Sequence, residues 1–230
     1  MYLSLMMSVF NHLSLDDALD EVQRLEIPAA EVGTGGYPGD RHCRPAELLA
    51  DSTALTTFQR SFTDRGVRIS ALACHGNPLH PDEKVRTEHH QVFRDSVLLA
   101  ERLDVDTLVL FSGCPGGSES AQEPNWVTCA WPVDYLRILD WQWTEKVVPY
   151  WSGQAAFARV HGVTKLAFEM HPGFVVYNPT TLLRLRASVG EEIGANLDPS
   201  HLMWQGIDAV TAIRELSSAG AVFHTHAKDV

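Results

Sequence analysis

Cysteine is scarce and unpatterned in this chain: Cys43, Cys74, Cys114 and Cys129 are the only four in 230 residues, with no C-x-x-C pair and no zinc-ribbon spacing. That argues against a disulfide framework and fits reduced thiols in a reducing compartment. Positive charge is also in short supply. Eighteen Lys and Arg stand against 29 Asp and Glu, a net charge of −11, and there is no basic stripe that would release counterions from a polyanion. Nucleic acid is therefore not expected as a partner. Long apolar runs are missing too. The stretch from Met1 to Phe10 is too short, and lacks the basic flank, to serve as a signal peptide or a membrane span. The expectation is a cytoplasmic protein with no membrane partner.

The rest of the composition is ordinary for a soluble globular protein, with 45% hydrophobic and 20% charged residues. A chain of this length can bury a full core as one large α/β domain or two small ones. Hydrophobic patterning favours the first, a single domain over 1–230. Tyr2 to Phe10, Ala29 to Gly33, Val67 to Cys74, Thr107 to Phe111, Thr164 to Glu169, Ile193 to Leu197 and Ala221 to His226 read as seven strands. Six helical segments alternate with them. The first is capped by Ser14, and Asp16 and Asp17 stand in its first turn. Others run from Ser52 to Arg65 and from Pro81 or Asp82 to Leu103. Asp134 caps the fourth, which Pro149 kinks on its way to His161, and the last two cover Pro179 to Val189 and Ile207 to Ser218. Ser112 to Pro132 has no sustained period and reads as a long loop.

Strict alternation of this kind argues for a parallel sheet with helices outside it, and polar residues recur at the C-terminal ends of the strands. That placement predicts a (β/α)8 TIM barrel in preference to an open sheet. Seven strands are present, so the C-terminal βα portion is expected to be missing from the chain. Glu169 and His171 stand two apart and face one side, as do Asn196 with Asp198, and His224, His226 and Lys228. Ionisable groups crowded at one barrel mouth need a compensating charge. Carboxylate oxygen with imidazole nitrogen suits a divalent metal ion: Mn²⁺, Mg²⁺, Co²⁺ or Zn²⁺. Of the remaining histidines, His75, His80 and His201 also follow strand ends, whereas His89, His90 and His161 fall in helices and read as solvated surface residues.

The segments Glu-Met-His-Pro-Gly (169–173), Asn-Leu-Asp-Pro-Ser-His-Leu-Met-Trp-Gln-Gly-Ile-Asp (196–208) and His-Thr-His-Ala-Lys-Asp (224–229) resemble the sugar phosphate isomerase/epimerase family of xylose isomerase-like TIM barrels. Cys-His-Gly-Asn-Pro-Leu-His-Pro (74–81) and Phe-Ser-Gly-Cys-Pro-Gly (111–116) are similar to the same group, so the resemblance spans almost the whole chain. It implies Glu169, Asp198 and His226 as metal ligands, His226 being preferred to His224 by its spacing to Asp229. Glu169 would double as catalytic base, and His75, His171, His201, His224 and Lys228 would contact substrate. The implied reaction is isomerisation or epimerisation of a small sugar or polyol, by proton transfer through an enediolate at a divalent metal. The family's fourth ligand, a Glu on strand eight, has no counterpart here. Two alternatives stand beside this expectation: an endonuclease IV-like phosphodiesterase, and a non-catalytic truncated barrel that binds carbohydrate or a partner subunit. A homo-oligomer is possible on the same grounds.

Overall fold

The computed structural model describes residues 2–228. Seven strands, β1 (Leu5–Met6), β2 (Ala29–Gly33), β3 (Arg68–Ala73), β4 (Thr107–Leu110), β5 (Lys165–Glu169), β6 (Ile193–Leu197) and β7 (Val222–Thr225), form one sheet in the order in which they occur along the chain. The pairs β1·β2, β2·β3, β5·β6 and β6·β7 are parallel. Parallel neighbours in chain order, each joined through helix, are the α/β arrangement of a TIM barrel. Among the described residues no helix is long and apolar enough to cross a membrane.

Packing divides the chain into two compact units. The first comprises the residues up to His75 with Gln91–Leu108 and His161–Val163. Its strand β1 is only two residues long, because Met7–Phe10 turns into a 3-10 helix where continuous strand was expected. Helix α1 (Leu15–Arg24) starts as expected: the Ser14 hydroxyl accepts from Asp17 N at 3.2 Å, and Asp16 and Asp17 complement the helix dipole. Helix α2 (Pro45–Ala50) was not anticipated. It has a single turn and a half and one buried residue, too little to write a hydrophobic period. Asp51 then caps α3 (Ser52–Thr63), accepting from Thr53 N and Ala54 N. Leu19, Val22, Phe58 and Phe62 on the apolar faces of α1 and α3 are buried, the two helices pack on one another, and α3 packs on β3.

The second unit comprises Gly76–His90, Val109–Val160 and the residues from Thr164 on. Helix α4 (Glu83–Leu103) contributes its first turns to this unit and the remainder to the first. The segment 112–132 is a long loop, as expected, and it is stapled down by two amides. Asn77 accepts from Leu79 N and Cys114 N and donates to Cys114 O, and Gln142 Nε2 lies within 3.2 Å of the carbonyls of Pro115, Gly116 and Asn125. These bonds satisfy Cys114 N and the carbonyls of Cys114, Pro115, Gly116 and Asn125.

Helix α5 (Val133–Trp141) is N-capped by Pro132 and not by Asp134. It runs into a π-helical turn, Gln142–Val147, and then α6 (Val148–Val160). The wider turn lies immediately before Pro149, whose missing N–H and bulky ring an α-helical ladder could not accept. The expected kink is thus a π-bulge. Trp151, fully buried on α6, donates from Nε1 to Ser112 O at 2.9 Å and meets Phe168 of β5 edge-on, with ring centroids 4.7 Å apart. Helix α7 (Pro179–Val189) opens with a capping box between Asn178 and Thr181. Helices α8 (Pro199–Trp204) and α9 (Ala209–Ser218) follow β6. Gly194 of β6 lies beneath the Phe223 ring of β7, and a Cβ there would stand 2.3 Å from that ring. Only glycine fits under it.

Candidate metal and substrate site

Glu169 is the last residue of β5, and its Cα partner on β6 is Asn196. Asn196 in turn pairs with His224 on β7, after a register shift between Ala195 and Asn196. A bulge re-aims the residues that follow it, and here those are Asn196 and Asp198. Asp198 sits one residue past β6 as the N-cap of α8, with Pro199 at the first helical position. His201, three residues on, lies on the same side of that short helix. Sequence reading placed Asp198 and His201 after a strand but did not foresee the helix between them. Its signal was nonetheless present, as an Asp-Pro-Ser start.

These elements bring a set of donor atoms together. Glu169 Oε1 is 2.9 Å from His201 Nε2, which is itself 3.5 Å from Asp198 Oδ2. One ligand atom each from Glu169, Asp198 and His201 falls within 4.8 Å of the others, and both carboxylates are buried. On the other side, Glu169 Oε2 accepts from Asn196 Nδ2 at 3.0 Å and lies 3.0 Å from His226 Nδ1. Of the ligands implied by the resemblance, Glu169 and Asp198 share the cluster and His226 approaches through Glu169. His201 is the third member of the cluster. Asp229, which guided the preference for His226 over His224, lies outside the described residues.

Asn196 was not singled out for a role in the sequence. It is fully buried, its amide nitrogen lies 3.0 Å from both Glu169 Oε2 and His226 Nδ1, and it holds the carboxylate in place. The two-residue period places it on the face of Asp198, and its hold on Glu169 follows from the pairing of β5 with β6.

Lys228 Nζ stands 2.7 Å from Asp198 Oδ2 and 3.3 Å from His201 Nε2. His201 Nε2 can donate to Glu169 or accept from Lys228, but a single ring nitrogen cannot do both. The His171 ring packs 4.1 Å from His201 and 5.0 Å from Phe111, centroid to centroid. Its Nδ1 lies 2.6 Å from Pro172 O, and a carbonyl only accepts, so Nδ1 carries the proton and Nε2 the lone pair of the neutral ring. Burial, chiefly, holds its pKa below the ordinary imidazole range, with His201 and Lys228 adding to the effect and the Pro172 carbonyl and Glu169 opposing it. His224 faces His226 edge-on at 5.7 Å. His75 is buried directly after β3 in the first unit, where its carbonyl accepts from Tyr37 N.

His89 and His90 of α4, and His161 in the turn after α6, differ from the expectation of solvated helix residues. His89 Nδ1 accepts from Asn77 N at 3.0 Å, His90 Nδ1 meets the Tyr150 hydroxyl at 3.1 Å, and His161 Nδ1 lies 2.9 Å from Glu101. All three are half-buried and engaged. The helix surface they occupy is covered by neighbouring loops and helices, which a one-dimensional period does not reveal.

Asp198 Oδ1 accepts from Ser200 N at 2.9 Å and Ser200 Oγ at 2.6 Å, whereas Oδ2 is buried and accepts no aligned hydrogen bond. A buried carboxylate oxygen left in that state, beside a second carboxylate and an imidazole nitrogen, fits a divalent cation.

The fold and this donor set define a TIM-barrel protein with a polar centre at the ends of β5 and β6. Residues 19–230 match the xylose isomerase-like TIM barrel family, and the chain belongs to it. An uncharacterized protein of Bacillus subtilis (strain 168), YfiH, is 39% identical over 232 residues, covering 100% of this chain and 73% of that protein. Among solved structures, the probable 3-DHS dehydratase AsbF from Bacillus anthracis aligns with a TM-score of 0.72 at 17% identity, over 100% of this chain and 74% of that one. A D-tagatose 3-epimerase-like protein aligns at 0.70 and 18%, over 100% and 76%. The IOLI protein with a bound zinc atom aligns at 0.65 and 18%, over 98% and 72%.

Proposed function

We propose that the protein is a metal-dependent isomerase or epimerase of a small sugar or polyol, with Glu169 as its base. The observation that carries this reading is the convergence of Glu169, Asp198 and His201, with His226 beside them, around a carboxylate oxygen that lacks an aligned donor. Epimerase-like and zinc-bound neighbours of the same fold support it. Glu169, Asp198 and His226 would hold the ion, with His201 able to complete the set. A divalent cation of the Mn²⁺, Mg²⁺, Co²⁺ or Zn²⁺ type supplies polarisation of a substrate carbonyl when bound, which acidifies the adjacent C–H.

The chain's own residues do the rest. Glu169 is held at Oε2 by Asn196, so its carboxylate cannot rotate freely, and Oε1, beside His201, is the oxygen assigned to take the carbon-bound proton. His201, 2.9 Å from Oε1, orients that oxygen and can pass a proton onward. Neutral His171 offers its Nε2 lone pair to a substrate hydroxyl. His224 and Lys228 are assigned to further hydroxyls by their positions in and after β7. Phe111 and Phe174, stacked at 4.2 Å beside His171, give this side of the site an apolar wall against water.

Phosphodiester cleavage in nucleic acid is disfavoured by the net charge of −11, which repels a polyanion. The test is to load the purified protein with Mn²⁺ and incubate it with ketoses and inososes in D2O, following loss of the proton next to the carbonyl by NMR. Exchange that requires metal and Glu169 supports the reading. Retention of every such proton, with sugar still bound, would leave a carbohydrate-binding barrel.

A further inference from the structure

Asp198 is 1% exposed, and its two oxygens are treated differently. Oδ1 is fixed by directed bonds from Ser200, whereas Oδ2 accepts no aligned hydrogen bond and has an ammonium, Lys228 Nζ, at 2.7 Å. The charge of Oδ2 is therefore balanced by the Lys228 ammonium, with no hydrogen bond to that oxygen from the backbone or from Ser200. The two partners also differ in exposure: the Asp198 side chain is wholly buried, while that of Lys228 is 49% exposed and hangs from the segment after β7.

We propose that Lys228 is a displaceable counter-ion, standing beside Asp198 in the metal-free protein and leaving when a divalent cation binds. This rests on the metal site proposed above. Removing the countercharge from a buried carboxylate is costly, so the metal-free protein needs an internal cation beside Asp198. A divalent ion bound to Oδ2 would lie about 2.0–2.4 Å from that oxygen, close to the ammonium, and two cations crowded onto one oxygen repel. The two occupants exclude each other. Lys228 can leave cheaply because half of its side chain is already in water, and the departing ammonium regains full hydration. Metal affinity is then lowered by the work of breaking the Lys228–Asp198 pair. A freed Lys228 also becomes available to substrate oxygens, the role its sequence position suggests.

Calorimetric titration of the metal-free protein with Mn²⁺ tests this in the wild type, Lys228→Met and Lys228→Arg. K228M is expected to bind Mn²⁺ about tenfold more tightly, to melt several degrees lower without metal, and to recover that loss when Mn²⁺ is added. K228R, which keeps the charge, is expected to bind as the wild type does. Equal or weaker binding by K228M, with the wild type binding Mn²⁺, overturns the counter-ion role and leaves the metal site standing. No binding by any of the three proteins removes the metal site, and the counter-ion with it. Should K228M be too unstable to titrate, the Mn²⁺-induced rise in melting temperature of Lys228→Gln gives the same comparison.

Discussion

At the ends of β2 and β3, Thr34 Oγ1 lies 3.2 Å from Ala73 O and 2.7 Å from Ser96 Oγ, and Ser96 Oγ in turn reaches Val92 O at 2.7 Å. At the ends of β5 and β6, Glu169, Asp198 and His201 bring lone pairs to one place, and an oxygen of Asp198 has no aligned donor. The strand geometry is the same in both regions. In the first, the Thr34 and Ser96 hydroxyls close onto one another and onto backbone carbonyls, contacts that stabilise the packing. In the second, carboxylates and imidazoles are held by one-sided contacts from Asn196 and Ser200, so that reactive atoms remain turned toward one another. Perturbed, incompletely bonded polar groups of the second kind are where a functional site is to be sought.

That contrast can be broken most sharply at Glu169. Glu169→Gln keeps the volume and the Asn196 contact but removes the proposed base, so on that proposal metal-dependent proton exchange should fall by about 10³-fold, with the melting temperature nearly unchanged. A parallel fall in both would place Glu169 among the structural groups. Trp151→Ala strikes the scaffold behind β5 and should cost about 3–5 kcal/mol of stability, measured by denaturant unfolding, through the cavity and the unpaired Ser112 carbonyl. Thr34→Val tests the closed network of the first unit. It should cost about 1–3 kcal/mol and leave Mn²⁺ affinity as it was; a change in that affinity would blur the division between the two regions.

The smallest effect concerns the thiols. Cys43, Cys74 and Cys114 are buried and Cys129 is exposed. Burial pushes Cys74 and Cys114 up to about 12 and Cys43 higher still. A native titration with a thiol reagent should therefore label Cys129 alone, rising to all four in denaturant. Because the folded pKa values lie above the unfolded ones, the buried thiols stabilise the fold fully below about pH 8.5. That stability is lost as the pH climbs toward about 12.

The legibility of the molecule follows the same division. Strands β2 and β5 to β7 were readable because a short apolar run closed by a polar residue suits a buried strand and little else, and helices α1, α3 and α4 carried caps or long periods. Strand β1 was read too long, since apolar Met7 to Phe10 can pack as well in a 3-10 turn as in a strand. Six-residue α2 and α8 have no room for a period. Glu169 and Asp198 were legible as strand-end carboxylates expected at one site, and the place of His201 between them was not. It depends on the bulge at Asn196 and on α8 turning His201 back over Glu169, both products of pairing and not of any one segment.

Gly194 carries no reactive atom, yet it governs where the reactive atoms of β6 and β7 can stand. Its missing side chain lets the Phe223 ring lie on the β6 backbone two residues before Asn196 and one before His224. In an evolving lineage, a single methyl group here would lever β7 away from β6 and carry His224, His226 and Lys228 with it. A mutational scan scored on Mn²⁺ binding should thus mark Gly194 as intolerant as a ligand, and a designer reshaping this barrel would have to keep that position empty.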